Sequence, residues 1–423
     1  MTSLTQTVST TWAKVAPANP QPGHLRPMTL ARVLDGKRNA FGFLRFFFAS
    51  LVLFDHMFPL GGYGASPLLG WSSTQDASGG LAVPAFFAMS GYLITKSALG
   101  AAMVPFLWHR VLRILPAFWV CLALTALVVG PLVWWHGRGT LSGYFTGGAG
   151  GPVAFFTSNM GLEIHQYGIH DLLIGTPYGH LVKASVFNGS LWTLIYLGRC
   201  YLLIGLLAAF GVLRDAKPLA VLIAAGLWFL TMLQLADPAS PGRIAPWLGD
   251  VYNVRLPMIF MVGAVLALYA DRIPYSNRLG ALAALLVVVS FLSGGYLLVG
   301  YPGLAYLLLW LAARLRGPFR GFGSVNDYSY GMFIYGFLIL QVLAGAGVYA
   351  WGKIAFLAAA FVLTLACAFL SWHLVEKHAL RLKHWGPGAG VRVFADSLTS
   401  LVRRHRAPAG GIPVEDPFDS AHD

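Results

Sequence analysis

Charged residues are scarce in this chain. Asp, Glu, Lys and Arg make up 11% of its 423 residues, against about 25% in an average soluble domain. This scarcity excludes an ordinary soluble protein, and a hydrophobic content of 57% indicates a polytopic membrane protein that resides in a lipid bilayer. The net charge of +13 does not predict a nucleic-acid partner, because the positive residues lie mostly in loops between apolar runs.

Cysteine, leader and repeat signals are also weak or missing. The three cysteines, Cys121, Cys200 and Cys367, lie within apolar runs and lack metal-ligand spacing, so we expect each to pack as a small apolar residue. Residues 1–40 have no apolar core of the signal-peptide type, so we expect the first span to be retained. We find no internal repeat of the inverted kind that many transporters carry.

Long apolar runs predict the fold class: an all-α, polytopic membrane bundle with about ten transmembrane helices. The third run is overlong, which predicts a tilted helix or a break near Gly130-Pro131. We predict a tail at residues 1–38, a transmembrane domain at 39–385 and a largely disordered tail at 386–423. The runs cover residues 41–58, 80–99, 106–135, 190–213, 218–235, 251–270, 279–299, 301–315, 328–349 and 353–375.

Basic residues predict the orientation of the bundle. With the N-terminus in the cytoplasm, most Lys and Arg residues fall in inside segments, as the positive-inside rule requires. Ten spans also return the basic C-terminal segment to the cytoplasm, so both termini are predicted to be cytoplasmic. The basic residues left in the predicted outside loops are Arg138, Lys183, Arg243 and Lys353.

The first apolar run contains three ionisable residues, Arg45, Asp55 and His56. Charge inside a span is costly and usually marks a functional site. Arg45 and His56 are 11 residues apart, so they share one helix face and lie about 16 Å apart along the axis. Asp55 is about 100° off that face, and we expect it to hold a hydrogen bond. This arrangement favours a long substrate with a phosphate-bearing head that lies along the helix.

Further motifs follow along the chain. Arg110 and Arg113 lie three residues apart at the start of a predicted helix, where both can bind phosphate oxygens. Ser90-Gly91 allows a close approach between helices. The other motifs are NGSLWTLIYLGRCYLL at 188–203, NDYSYGMFIYGFLILQ at 326–341 and SWHLVEKHALRLK at 371–383.

Taken in this order, the motifs resemble the acyltransferase-3 family of bacterial membrane O-acyltransferases over about residues 38–385. The resemblance implies about ten spans in the bacterial inner membrane and an acyl-CoA donor, acetyl-CoA by expectation, on the cytoplasmic side. It also implies an acceptor hydroxyl presented from the other side, on a surface polysaccharide, a Nod-factor-type oligosaccharide or a macrolide.

The family pattern implies roles for five residues. Arg45 and His56 match its Arg-x₁₀-His pair, and Arg110 and Arg113 match its Arg-x-x-Arg pair. Glu376 matches the acidic residue of the closing Ser-Trp…Glu-Lys motif and is a second catalytic candidate.

Three positions depart from the pattern. Leu197 stands where similar proteins have a glutamate, Gly42 where an aspartate is common, and His378 where many have proline. Loss of the glutamate leaves Arg199 without an acidic partner in its own segment.

The residues themselves support a catalytic scheme. Arg110, Arg113 and Arg45 would hold the phosphates of coenzyme A, and His56 would act as general base on the acceptor hydroxyl. An imidazole suits this role because its ordinary pKa of about 6.5 lies near working pH. Asp55 is a further catalytic candidate: we expect it to hold a hydrogen bond, and a role as second base is the alternative.

The predicted outside loops at 59–79 and 136–189 are rich in Gly, Ser and aromatic residues, which suits a carbohydrate or polyol acceptor. Ser90, Trp192 and Tyr330 are the candidate acceptor-binding residues. Glu163, His165, His170, Asp171 and His180 fall in the second loop, but their spacing is irregular and predicts no metal site.

Other interpretations stay open from the sequence. The arginines could serve as anchors and orientation charges, and Glu376 could pair with Arg381. Ser90 or Ser190 could act as a relay nucleophile. The chain could also be a transporter or flippase for a glycan or anionic metabolite, or a non-catalytic membrane protein that binds acyl-CoA.

Overall fold

The computed structural model describes residues 28–36, 38–67, 80–146 and 148–385. These residues form α-helices joined by turns and short 3₁₀ or π segments, and they contain no β-strand. One isolated β-bridge joins Thr29 to Pro274. The predicted C-terminal tail and most of the predicted N-terminal tail lie outside the described residues.

Ten long helices follow the ten predicted apolar runs. They are α1 (Phe41–Leu60), α2 (Ala82–Leu99), α3 (Met103–Arg138), α4 (Thr193–Ala209), α5 (Lys217–Ala236), α6 (Tyr252–Leu268), α7 (Asn277–Ser293), α8 (Tyr296–Arg314), α9 (Ser329–Gly345) and α10 (Lys353–His384). Short helices occur at Leu30–Val33, Pro152–Asn159, Pro177–Val182, Val212–Asp215 and Ser240–Ile244.

The lengths of these helices bear on the membrane prediction. Five of them, α1, α3, α5, α8 and α10, are long and apolar enough to cross a membrane, judged on the described residues. Helices α4, α6, α7 and α9 are apolar but shorter, at 17 residues each. The prediction of an all-α membrane bundle is confirmed, whereas the number of ten spans is not.

Helix α3 does not break where the sequence allowed a break. It runs without interruption past Gly130-Pro131, through a π-helical turn at Thr125–Val129. A π turn adds one residue to a helical turn. The π-helical turn ends two residues before Pro131, which lacks an N–H group for the helical hydrogen bonds. The overlong apolar run is therefore one long helix.

Helices α2 and α6 pack closely, as Ser90-Gly91 predicted. A Cβ atom on Gly91 would lie 1.9 Å from the carbonyl oxygen of Phe260, and one on Gly263 would lie 2.2 Å from that of Ala88. Both contacts are far below van der Waals distance, so only glycine fits at either position. The two glycines allow the backbones of α2 and α6 to touch.

Candidate active site

A cavity of about 870 Å³ lies beside the C-terminal half of α1. Its wall also includes the beginnings of α2 and α4, the middle of α9 and the short helix Pro177–Val182. The lining is mostly apolar, but several polar side chains face into it: Asp55, His56, Ser66, Tyr167, Tyr178, Ser185, Ser190, Trp192 and Thr193. A cavity of this size is typical of small-molecule sites.

His56 has a defined ring orientation at this cavity. Its Nδ1 atom lies 2.7 Å from the carbonyl oxygen of Val52, and its ring packs edge-on against Phe337 with the centroids 5.3 Å apart. A carbonyl oxygen only accepts hydrogen bonds, so Nδ1 must carry the proton. The lone pair of the neutral ring therefore lies on Nε2, which is the arrangement a general base requires.

Asp55 lies next to His56 and holds a hydrogen bond, as the sequence predicted. The hydroxyl of Ser66, in the segment after α1, donates to Asp55 Oδ1. Asp55 is the only carboxylate among the described lining residues. No direct hydrogen bond joins it to His56 within the described part of the chain, so Asp55 does not orient the imidazole through one.

The three candidate acceptor residues separate in space. Trp192 lines the cavity, and so does Ser190, whose buried hydroxyl has no hydrogen-bond partner among the described residues. Ser90 lies outside the lining. Tyr330 is also outside it and donates to the carbonyl oxygen of Ile114 at 2.9 Å. Only Trp192 of the three is thus placed to contact a molecule beside His56.

Four ionisable residues form a second site, which we call the charge cluster: Arg45, Arg113, Asp327 and Glu376. Asp327 Oδ2 lies 3.1 Å from Arg45 Nη2 and 2.5 Å from Arg113 Nη2. Arg113 Nη1 lies 3.1 Å from Glu376 Oε2. Two positive and two negative groups thus neutralise one another at the junction of α1, α3, α9 and α10.

Local backbone features hold both carboxylates in place. Asp327 precedes α9 and accepts hydrogen bonds from the backbone N–H and the hydroxyl of Ser329, at 3.2 and 2.6 Å. Glu376 ends a π-helical turn in α10, and this turn brings the hydroxyl of Ser371 within 3.1 Å of Glu376 Oε1. Such single π turns are frequent at functional sites.

Two opposing effects act on the pKa of Asp327. Burial raises the pKa of this carboxyl, but Arg45, Arg113 and the hydrogen bonds from Ser329 lower it. The favourable charges and donors prevail, so the pKa of Asp327 is held below its ordinary value. Asp327 is therefore a stable anion at neutral pH.

The sequence motifs did not single out Asp327. It lies 214 residues from Arg113, and nothing in the primary structure links the two. The available signal was a carboxylate directly before an apolar helix, in Asn326-Asp327. Its presence occupies Arg45 and Arg113, both of which were predicted to hold phosphates. Glu376 pairs with Arg113 rather than with Arg381, its sequence-based alternative.

Arg110 differs from Arg113 and Arg45, the other two arginines of the family motifs. No carboxylate lies within ion-pair distance of it in the described part of the chain. Its Nη2 atom lies 3.4 Å from the hydroxyl of Ser97, and its guanidinium lies 5.6 Å from the ring centroid of Phe106. Arg110 is thus the motif arginine whose charge is available to an incoming anion.

The sequence predicted that one long substrate would lie along the helix face shared by Arg45 and His56. They lie on the same helix, but Arg45 belongs to the charge cluster and is not part of the lining of the cavity at His56. Helix α9 makes the same connection, since it follows Asp327 and carries Phe333 and Phe337 of the cavity wall. The packed helices α1 and α9, and not a channel lined by described residues, thus connect the charge cluster to the cavity at His56.

The departures from the family pattern have structural consequences. A Cβ atom on Gly42 would lie 1.9 Å from the carbonyl oxygen of Phe322, so this backbone arrangement has no room for an aspartate. Leu197 packs against the main hydrophobic core. Arg199 donates to Asn253 Oδ1 at 2.6 Å, and Glu163, from another segment, lies 3.9 Å away.

Asp171 and His170, also in the 136–189 segment, engage separate partners. Asp171 forms an ion pair with Arg138 at 2.7 Å, and His170 Nε2 lies 2.8 Å from the carbonyl oxygen of Tyr144. Among the described residues, no group of three or more His, Cys, Asp or Glu side chains could hold a metal ion.

Comparison with known proteins identifies the family. The sequence profile of the acyltransferase domain matches residues 38–373. This chain belongs to the acyltransferase-3 family. It is 31% identical to the O-acetyl transferase of Shigella phage Sf6 over 368 residues, which cover 81% of this chain and 96% of the phage protein. It is 27% identical to nodulation protein 10 of Rhizobium leguminosarum bv. viciae over 377 residues, covering 82% and 95%.

No solved structure matches the chain. The family nevertheless makes this protein an acyltransferase and favours that activity over a transporter or a non-catalytic binding protein.

Proposed function

We propose that this acyltransferase moves an acetyl or another acyl group from acyl-CoA to a hydroxyl of a sugar-containing or polyol acceptor, with His56 as general base. The observation that carries the proposal is the ring of His56, which is tied at Nδ1 to Val52 and lines the 870 Å³ cavity. The name of the phage relative, an O-acetyl transferase, supports transfer of an acetyl group to oxygen.

The transfer step would take place in the cavity at His56. His56 Nε2 takes the proton of the acceptor hydroxyl as its oxygen attacks the thioester carbonyl carbon. The new C–O bond forms an ester and the C–S bond breaks. The proton then passes from Nε2 to the departing thiolate, so the products are an O-acyl ester and free coenzyme A. Asp55 stabilises the positive charge on the imidazolium during this step.

The acceptor would bind among the aromatic and hydroxyl groups of the cavity. Trp192 offers a flat apolar surface, whereas Tyr178 and Ser190 offer hydroxyl groups. A sugar ring presents apolar C–H faces and a rim of hydroxyls, so this mixture matches its chemistry. The hydroxyl of Ser190 is buried and has no partner among the described residues, so a hydrogen bond from a ligand would stabilise it most.

The donor would approach from the charge-cluster end of α1, which the sequence orients toward the cytoplasm. Arg110 is the candidate phosphate contact, because no carboxylate within the described residues neutralises it. The distance of about 16 Å between Arg45 and His56 along the helix is of the same order as the extended pantetheine arm. Phosphate contacts from Arg45 and Arg113 would have to compete with Asp327 and Glu376.

The test is acyl transfer by the purified full-length protein in nanodiscs. Radiolabelled acetyl-CoA is supplied with a panel of neutral and anionic sugars, and alkali-labile label on the sugar is counted. We expect wild-type protein to label at least one sugar, and His56→Asn to do so at least a hundredfold more slowly. His180→Asn is the matched control, since His180 is exposed and outside the cavity. Equal rates for His56→Asn and wild type would contradict the proposal.

A further inference from the structure

Arg255, in the first turn of α6, lacks a partner in the part of the chain that the structure describes. Its side chain makes no hydrogen bond or ion pair there, and its Nε atom is buried. The acid nearest in sequence, Asp250, instead accepts a hydrogen bond from the hydroxyl of Tyr196 and another, at 3.0 Å, from the backbone N–H of Tyr252. A guanidinium in an apolar helix is costly unless an anion pairs with it.

The surroundings of Arg255 connect it to the acceptor cavity. Arg255 lines a small pocket of about 10 Å³, together with Val83, Trp192, Tyr252 and others. Val83 and Trp192 also line the cavity at His56, so they form the wall that the two spaces share. The Trp192 ring packs on Tyr252 with the centroids 4.5 Å apart.

The local charges favour an anion at this wall. The first turn of α6 contributes the partial positive charge of a helix N-terminus, which adds to the charge of Arg255. Arg199 lies nearby, because it donates to Asn253 in the same turn. Asp250 offsets part of this charge, and Glu163 lies 3.9 Å from Arg199 with both side chains substantially exposed.

We propose that Arg255 binds an oxyanion of the acceptor, a phosphate or a carboxylate group, at the edge of the cavity that contains His56. The inference rests on the proposed function, since it assumes that the acceptor occupies this cavity. A guanidinium holds such groups through two parallel N–H···O bonds. The present pocket holds about one water, so binding requires the Trp192 ring to turn, which joins the pocket to the cavity. The substrate class is therefore an anionic sugar.

The experiment measures binding, so it does not depend on turnover. Full-length protein in phosphatidylcholine nanodiscs is titrated with glucose, glucose 1-phosphate, glucuronic acid and inorganic phosphate by calorimetry. We expect at least one anionic sugar to bind more tightly than glucose. Arg255→Met should lower the affinity for that sugar at least tenfold and leave the affinity for glucose unchanged. Arg255→Lys should lower the affinity for the anionic sugar by a smaller factor. Arg255→Met is expected to fold, because it removes no side-chain hydrogen bond or ion pair that the structure describes.

Arg243→Met is the matched control, since Arg243 is an exposed arginine that pairs with Asp237. Unchanged affinities in Arg255→Met, or equal losses for glucose and the anionic sugars, would overturn the proposal. A lipid headgroup is the other source of phosphate. If Arg255→Met abolishes only a stabilisation by added phosphatidylglycerol, Arg255 binds lipid and the proposal is wrong.

The same titration separates this inference from the proposed function. His56→Ala should retain the preference for anionic sugars, because the base is not part of the oxyanion contact. Wild-type protein that shows this preference but transfers no acyl group would contradict the proposed function and leave the Arg255 assignment intact.

Discussion

Asp327 joins Arg45 to Arg113 through a single oxygen atom. Its Oδ2 lies 3.1 Å from the first guanidinium and 2.5 Å from the second. Both arginines belong to motifs for which the sequence predicted phosphate binding, yet both are held by this carboxylate. The charge cluster therefore has a structural role of its own, in which it ties the start of α9 to α1 and α3.

Removal of Asp327 should destabilise the fold strongly. Its side chain is 10% exposed, and Asp327→Ala leaves Arg45 without a carboxylate and Arg113 with Glu376 alone, at a largely buried site. We expect a loss of about 3 kcal/mol or more, measured by thermal unfolding in nanodiscs. The control is Asp171→Ala, which breaks an ion pair of 2.7 Å whose carboxylate is 64% exposed. That variant should lose no more than about 1 kcal/mol. Similar losses in the two variants would contradict the structural role.

The stability due to Asp327 should depend on pH in acid only. Its pKa is held below the ordinary value, which is about 3.9 in an unfolded chain. A carboxylate with a lowered pKa contributes its full stability above the unfolded pKa and loses it as pH falls through the folded pKa. The difference in melting temperature between wild type and Asp327→Asn should therefore be constant from pH 5 to 7 and shrink below about pH 4. A difference that already shrinks between pH 7 and 5 would show that the pKa of Asp327 is raised instead.

Arg110 and Arg113 should separate into a donor-binding and a structural residue. Arg110 has no carboxylate partner among the described residues, whereas Arg113 has two. We expect Arg110→Ala to weaken coenzyme A binding at least tenfold, since a charge-assisted contact is worth about 1.5–3 kcal/mol. Its melting temperature should change little.

Arg113→Ala should mainly lower the melting temperature. Arg214→Ala is the control for both variants, because the side chain of Arg214 donates only to the carbonyl oxygen of Leu99 among the described residues. Calorimetry with coenzyme A, paired with thermal unfolding, measures the two effects. Unchanged coenzyme A affinity in Arg110→Ala would remove that residue from the donor site.

Gly91 should be essential to the packing of α2 against α6. A Cβ atom there would lie 1.9 Å from the backbone oxygen of Phe260, so Gly91→Ala must push the helices apart. We expect a clear drop in melting temperature and in the yield of folded protein. Gly226→Ala, in α5, would meet nothing within 4 Å and should be neutral or stabilising by up to about 1 kcal/mol. A neutral Gly91→Ala would mean that the two helices are not in contact.

The sequence was most informative where the signal was local. Each apolar run became a helix, and the position of Asp55 beside His56 in α1 predicted a polar group next to an imidazole. The hydrogen bond from His56 to Val52 also follows from helix geometry, since the two residues are four apart. Local periodicity and composition suffice for features of this kind.

The sequence was least informative where residues distant in the chain meet. Arg113 pairs with Glu376 across 263 residues and with Asp327 across 214. These ion pairs decide which arginines remain available to bind phosphate, and the spacing of residues in the sequence does not predict them. The shared wall at Trp192 that brings Arg255 close to the cavity is likewise a product of how α4 and α6 pack. A motif names the residue types present, whereas only the fold shows which charges are already paired.

The most direct test of the central claim is the rate of acyl transfer by His56→Ala with and without added imidazole. The variant removes the proposed base but keeps the carbonyl oxygen of Val52, which can hold an imidazole molecule in the cavity as it holds the His56 ring. We predict a rate at least a hundredfold below wild type, unchanged coenzyme A affinity and partial recovery of the rate with imidazole. Transfer by His56→Ala at the wild-type rate would contradict the account.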